Sequence, residues 1–202
     1  MNTKTITFTL MMGTLGNVLF AISFYTGTLA PGVALDFSLL PALIAGFYGG
    51  PLIGFVSGVL VGILPGVMFG PMGMGSWLGL IGLPIGKSLT GLTAGILARG
   101  INLRRNRHSS LLTIPATLLA YVPECIYTYA YFEWLMPFFI GSCGAAIFLY
   151  YILPKALAEV IVMSFLMAAL IGNKGFSEFL TNFISPQSSK RRSARNIPTR
   201  VL

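Results

Sequence analysis

The sequence predicts an all-α, polytopic membrane protein: six transmembrane helices in a compact, glycine-rich bundle. Three observations point there. Only 9% of the residues are charged and 55% are hydrophobic, whereas a soluble domain carries about 25% charged residues; mean hydropathy is +0.82. Several apolar stretches approach the ~20 residues needed to cross about 30 Å of hydrocarbon. Finally, Gly46, Gly50, Gly54, Gly58, Gly62, Gly66 and Gly70 stand four residues apart. In water each would weaken a helix by about 1 kcal/mol against alanine. In lipid, small residues at that spacing let two helix backbones approach closely.

The elements follow in order. Lys4 precedes an apolar run from Ile6 to Phe24, longer than a signal-peptide core, so a retained first span is expected over 5–25. A short second span covers 36–48. Pro51 suits the first turn of a third, over 51–65. Four residues advance a helix by about 400°, so the whole ladder cannot share one face. Gly54, Gly58 and Gly62 can; Gly46 and Gly50 fall at a tight turn; Gly66 to Gly75, with Pro65 and Pro71, read as an irregular loop. A fourth span over 78–98 repeats the device at Gly91 and Gly95. The fifth covers 111–131. The last, 138–172, is long and carries Pro154, so it reads as one kinked helix or as a helix preceded by a re-entrant stretch.

Charge sets the count. Outside the spans, lysine and arginine occupy the N-terminus, Arg99 to Arg107, and the segment from Lys174 onward. The loops 26–35, 66–77 and 132–137 have neither. Basic loops stay cytoplasmic, and six spans put every basic segment inside, with both termini cytoplasmic at the cell membrane. Residues 1–172 then form the membrane domain. Phe176, Phe179, Leu180, Phe183 and Ile184 make one apolar face of an interfacial amphipathic helix over 173–185. Residues 186–202 are a basic, serine-rich tail, expected to be disordered and drawn to anionic lipid.

Four ionisable residues fall within spans: Lys87, Glu124, Lys155 and Glu159. Each costs about 3 kcal/mol at the bilayer centre, so together they must face one another, water or a ligand. Lys155 and Glu159, four apart, can pair within one helix or hold a ligand. Tyr121, Glu124, Thr128 and Tyr131 share a face of the fifth span, and Trp77 and Trp134 lie at the same outer end. The tryptophans suit an interfacial aromatic belt; the alternative is a cup with aromatic walls and one carboxylate, floored by Lys87. Other signals carry less. Gly82 to Ser88 imitates a phosphate-binding loop but has three residues between its glycines, where four are needed. His108 is the sole histidine, Cys125 and Cys143 fit no metal spacing, and Asp36 reads as a helix cap. No nucleophile has a base beside it, so no metal, cofactor or enzymatic activity is expected.

The stretch from Asp36 through Pro41, Gly46, Gly50 and Pro51 to Gly54, with Gly86-Lys87-Ser88-Leu89-Thr90-Gly91-Leu92-Thr93-Ala94-Gly95, resembles the S components of energy-coupling factor (ECF) transporters. The resemblance implies high-affinity capture of a vitamin or similar micronutrient. It also implies a transmembrane coupling subunit and two cytoplasmic ATPases as partners. It places ligand between the outer loops and the last three spans, at Trp77, Lys87, Tyr121, Glu124, Thr128, Tyr131, Trp134, Tyr151, Lys155 and Glu159. It places partner docking on the first span, at Thr9, Gly13, Gly16, Asn17 and Ala21; Asn17 departs from the alanines usual there. A carboxylate among aromatics suits a cationic heterocycle such as thiamine, and two lysines suit a carboxylated vitamin. The competing expectation is a scaffold in cell-envelope assembly, in which the intramembrane charges only pair helices.

Overall fold

A computed structural model of the chain describes residues 3–26, 28–30, 33–34, 36–73, 75–101, 109–141 and 149–184. Arg104, Arg105, Arg107, His108, Cys143 and the tail over 186–202 lie outside the described residues. Among the described residues, eight α-helices run in the order α1 (Thr3–Thr26), α2 (Leu39–Ile44), α3 (Pro51–Phe69), α4 (Ser76–Gly100), α5 (Ser109–Ala130), α6 (Met136–Ile140), α7 (Leu149–Gly172) and α8 (Lys174–Ile184). A π-helical turn over Ala45–Gly49 extends α2, and another over Tyr131–Leu135 joins α5 to α6. Between α1 and α2, Thr28–Ala30 and Val33–Ala34 pair as short antiparallel strands β1 and β2.

Among the described residues, five helices are long and apolar enough to cross a membrane: α1, α3, α4, the continuous Ser109–Ile140 rod, and α7. That makes a multi-pass membrane protein. The segment expected as the second span is shorter than a crossing: six α-helical and five π-helical residues, about 16 Å at 1.5 Å each. It is buried along nearly its whole length, against α1, α3, α4 and α7. Irregular backbone at membrane depth is tolerated only where protein surrounds it, and this segment meets that condition.

The centre of the bundle is the seam between α3 and α4. Cβ atoms built on Gly54 and Gly91 would each run into the other's backbone. One on Gly58 would lie 2.5 Å from the Lys87 carbonyl, and one on Gly62 would strike Pro84. The two helices therefore touch backbone to backbone for two turns. Gly46 continues the seam into the π turn, where a Cβ would stand 2.6 Å from the Gly91 carbonyl. Gly50, at φ 93°, turns the chain into α3, with Pro51 as its first residue. Arg99 from the end of α4 lies over Gly50.

Two expected boundaries move. Pro65 does not end the third helix: α3 continues to Phe69, so Gly66 is helical and not part of a loop. Pro65 has no N–H to give, and the neighbouring backbone is held by Asn17 of α1. The Asn17 amide donates to the Leu60 carbonyl at 2.9 Å, and its oxygen accepts from Leu64 N–H at 3.0 Å. A regular helix would join those two backbone groups to each other. The second shift is at the far end of α5. The stretch 132–137, expected as a loop, is helical, and the rod ends only at Ile140, before Gly141 at φ 67°. Residues 138–140 thus belong with α5, and the last long helix, with Pro154 inside it, begins at Leu149.

The stripe expected to dock a partner is occupied. Thr9, Gly13 and Gly16 are buried, Gly13 lies against Leu60 and Gly16 against Val61, and Asn17 bonds α3 as above. Ala21 is half-buried on the same helix. The face of α1 left open is instead large and apolar: Leu10, Met11, Leu15, Val18 and Ile22. Most of the apolar face of α8 is also taken up by the bundle: Phe183 packs on Phe8 of α1, Phe176 on Tyr48, and Leu180 is buried, while Phe179 stays exposed.

Candidate functional site

α4 turns a second face toward α2 and α5, and there the seam is polar. Lys87, at the middle of α4, is buried. Its ammonium donates to Asp36 Oδ2 at 2.6 Å and to the Ser38 hydroxyl. An unpaired ammonium here would cost several kcal/mol; Asp36 removes that cost. Asp36 is not the helix cap expected of it. Ser38 holds the N-cap position of α2, and its side chain makes no capping bond. Asp36 Oδ1 accepts from Ser38 N–H at 2.8 Å, a turn-type bond two residues on, while its own N–H donates to Glu159 Oε1. Glu159 is buried and lies 3.3 Å from Lys155 one turn earlier on α7. One network therefore ties α4, α7 and the non-helical lead-in to α2.

Glu124 on α5 is held differently. The Thr90 hydroxyl, one turn beyond Lys87 on α4, donates to Glu124 Oε2. No lysine or arginine lies within ion-pair distance of it among the described residues. Thr93 adds a 2.6 Å hydrogen bond to the Ala120 carbonyl, so two threonines of α4 grip α5. The geometry comes from size complementarity. Gly82 and Gly86 of α4 leave room for the rings of Tyr131 and Tyr127, and a Cβ on Gly86 would lie 3.4 Å from Tyr127 and 3.7 Å from Glu124. The Tyr127 and Tyr131 rings stand 6.2 Å apart. Tyr131 is buried and its hydroxyl has no hydrogen-bond partner among the described residues, a state that costs about 1–3 kcal/mol.

The structure thus brings Lys87, Lys155 and Glu159 together, and Glu124 with Tyr131 along one side of α5. Tyr121 is buried at the same helix face, and Thr128 is half-buried. Trp77 and Trp134 are 72% and 69% exposed. They lie at one end of the bundle, where Leu78 packs with Tyr131 and Met136, but they do not wall an enclosed cup; exposure of that order suits a lipid interface. Tyr151 is exposed on α7. Two participants were not expected: Asp36 as the partner of Lys87, and Tyr127. The four-residue spacing of Gly82 and Gly86 against that of Tyr127 and Tyr131 was a legible sign of the second.

Chemically, the region holds two cations and three carboxylates. The cations are both paired, and the carboxylate without a cation is Glu124. Among the described residues no group of histidine, cysteine, aspartate and glutamate could hold a metal ion. No family model matches the chain, and no curated protein or solved structure matches it.

Proposed function

We propose that the chain is the high-affinity substrate-binding subunit of an ECF-type importer, taking up a vitamin or similar small micronutrient and energised by separate ATPase subunits. In this reading the buried α2 segment completes a sixth crossing, both termini are cytoplasmic, and the site opens outward at the cell membrane. The observation that carries it is the side of α5 where Glu124 has only a hydroxyl for a partner and Tyr131 has none. A ligand with a cationic or hydrogen-donating group beside an aromatic ring would satisfy both. The net balance of two cations against three carboxylates favours a cationic heterocycle over a carboxylated vitamin.

A second reading has its own observation. Lys87 with Asp36, and Lys155 with Glu159, are complete without any ligand, as expected of a scaffold in cell-envelope assembly. Affinity capture of the full chain from its native membrane separates the two. Recovery of a membrane coupling subunit with two ATPases supports import; recovery of envelope-synthesis proteins without ATPases overturns it. Because α3 covers the small-residue stripe of α1, such a coupling subunit must meet the chain elsewhere, for instance on the open apolar face through Leu10, Leu15 and Val18.

A further inference from the structure

At the end of the bundle opposite Trp77 and Trp134, a cavity of about 250 Å³ lies between the π turn after α2, the start of α5, the end of α7, and α8. Its wall is mixed. Phe47 and Ile171 are apolar; Lys174 and Glu178 supply opposite charges; Ser109 is the first residue of α5. The rim is tied by a 2.7 Å hydrogen bond between the Tyr48 and Ser177 hydroxyls. Lys174 and Glu178 are four residues apart on α8, yet no ion pair joins them among the described residues. Both are exposed into this space. The cavity also sits where the apolar run of α7 stops, at Gly172, and α8 begins, the depth at which lipid head groups lie.

We propose that this cavity holds the head group of a phospholipid bearing a primary ammonium. The phosphate sits on Lys174 beside Ser109 at the start of α5, where the helix dipole favours an anion. The ammonium donates to Glu178, and the glycerol end lies against Phe47 and Ile171. The charges match in number and sign: one cation for the phosphate, one carboxylate for the amine. The volume falls below the ~300 Å³ at which pockets for drug-sized ligands begin, which suits a head group. The site is remote from Glu124 and does not rest on the import reading.

The test is native mass spectrometry of the full-length protein released from mixed micelles holding equal phosphatidylethanolamine, phosphatidylcholine and phosphatidylglycerol. Phosphatidylethanolamine adducts should exceed phosphatidylcholine adducts about fivefold, the scale of one exposed charge contact, because a quaternary ammonium has no N–H for Glu178. Glu178→Met, which leaves no oxygen acceptor there, should erase that preference, and Lys174→Met should weaken retention of both lipids; both positions are exposed, and circular dichroism checks the fold. Equal retention of the two lipids by the wild type, meaning annular lipid only, overturns the proposal without recourse to any variant. So does a preference for phosphatidylglycerol, or an ethanolamine preference that survives Glu178→Met.

Discussion

α4 has two working faces, and they are built on opposite principles. Toward α3 it offers Gly91, Gly95 and the backbone around Lys87, and the neighbouring helix meets it with Gly54, Gly58 and Gly62. Nothing polar is needed there, because dispersion between closely packed backbones holds the pair. Toward α5 and the lead-in to α2 the same helix offers Lys87, Thr90 and Thr93, and contact is made by side-chain hydrogen bonds and one ion pair. The comparison separates two tasks in one helix. The glycine face fixes how near the helices stand. The polar face fixes which groups meet at mid-depth, and only it leaves a carboxylate without a cation and a phenol without a partner.

The largest effect should come from breaking the glycine face. Gly58→Leu places a branched side chain where even a Cβ lies 2.5 Å from the Lys87 carbonyl. Backbone cannot yield as a side chain does, so the cost should exceed ~3 kcal/mol, the upper range of ordinary overpacking. Size-exclusion chromatography should show aggregated protein. Gly100→Leu, where nothing lies within 4 Å, should run as wild type; identical behaviour of both variants would mean the seam is loose.

Breaking the polar face comes next. Lys87→Met leaves Asp36 without its cation and should lower stability by about 3–5 kcal/mol, read from unfolding in a detergent titration. Adding Asp36→Asn should restore more than half of that loss. Additive losses would show that the two side chains do not act as a pair.

A smaller effect tests how α1 joins the seam. Asn17→Ala exposes the Leu60 carbonyl and the Leu64 amide beside Pro65 to an apolar neighbour, at a cost of about 1–3 kcal/mol. Hydrogen exchange should rise locally around residues 60–65. Unchanged exchange there would mean that α3 closes its own ladder.

The reasons some features were legible in the sequence and others were not are visible in particular residues. Gly54, Gly58 and Gly62 announce a shared face because four-residue spacing is local geometry. Lys155 and Glu159 show by the same spacing that they can pair, and the spacing alone left ligand binding open as well. Asp36 and Lys87 are 51 positions apart, so nothing in local spacing could join them. Pro65 was read as a helix end because the rule that proline breaks helices is local, whereas Asn17, which holds the backbone beside it, arrives from another helix. The loop expected over 132–137 is helical because a π turn carries α5 on to Pro137, which has the N1 or N2 place in α6 that proline tolerates. The second crossing was counted from charge and apolarity; neither reports that the segment is only eleven residues long and enclosed by its neighbours.

The account turns on Glu124 as the group that a captured molecule would neutralise. The most direct measurement is mass spectrometry of small molecules released from the purified wild type and from Glu124→Gln, with thermal unfolding recorded for both. The account predicts one stoichiometric, cationic aromatic compound on the wild type, absent from the variant, whose unfolding without ligand shifts by less than the ~1 kcal/mol typical of a single substitution. The same compound on both proteins, or none on either after growth in rich medium, would contradict it.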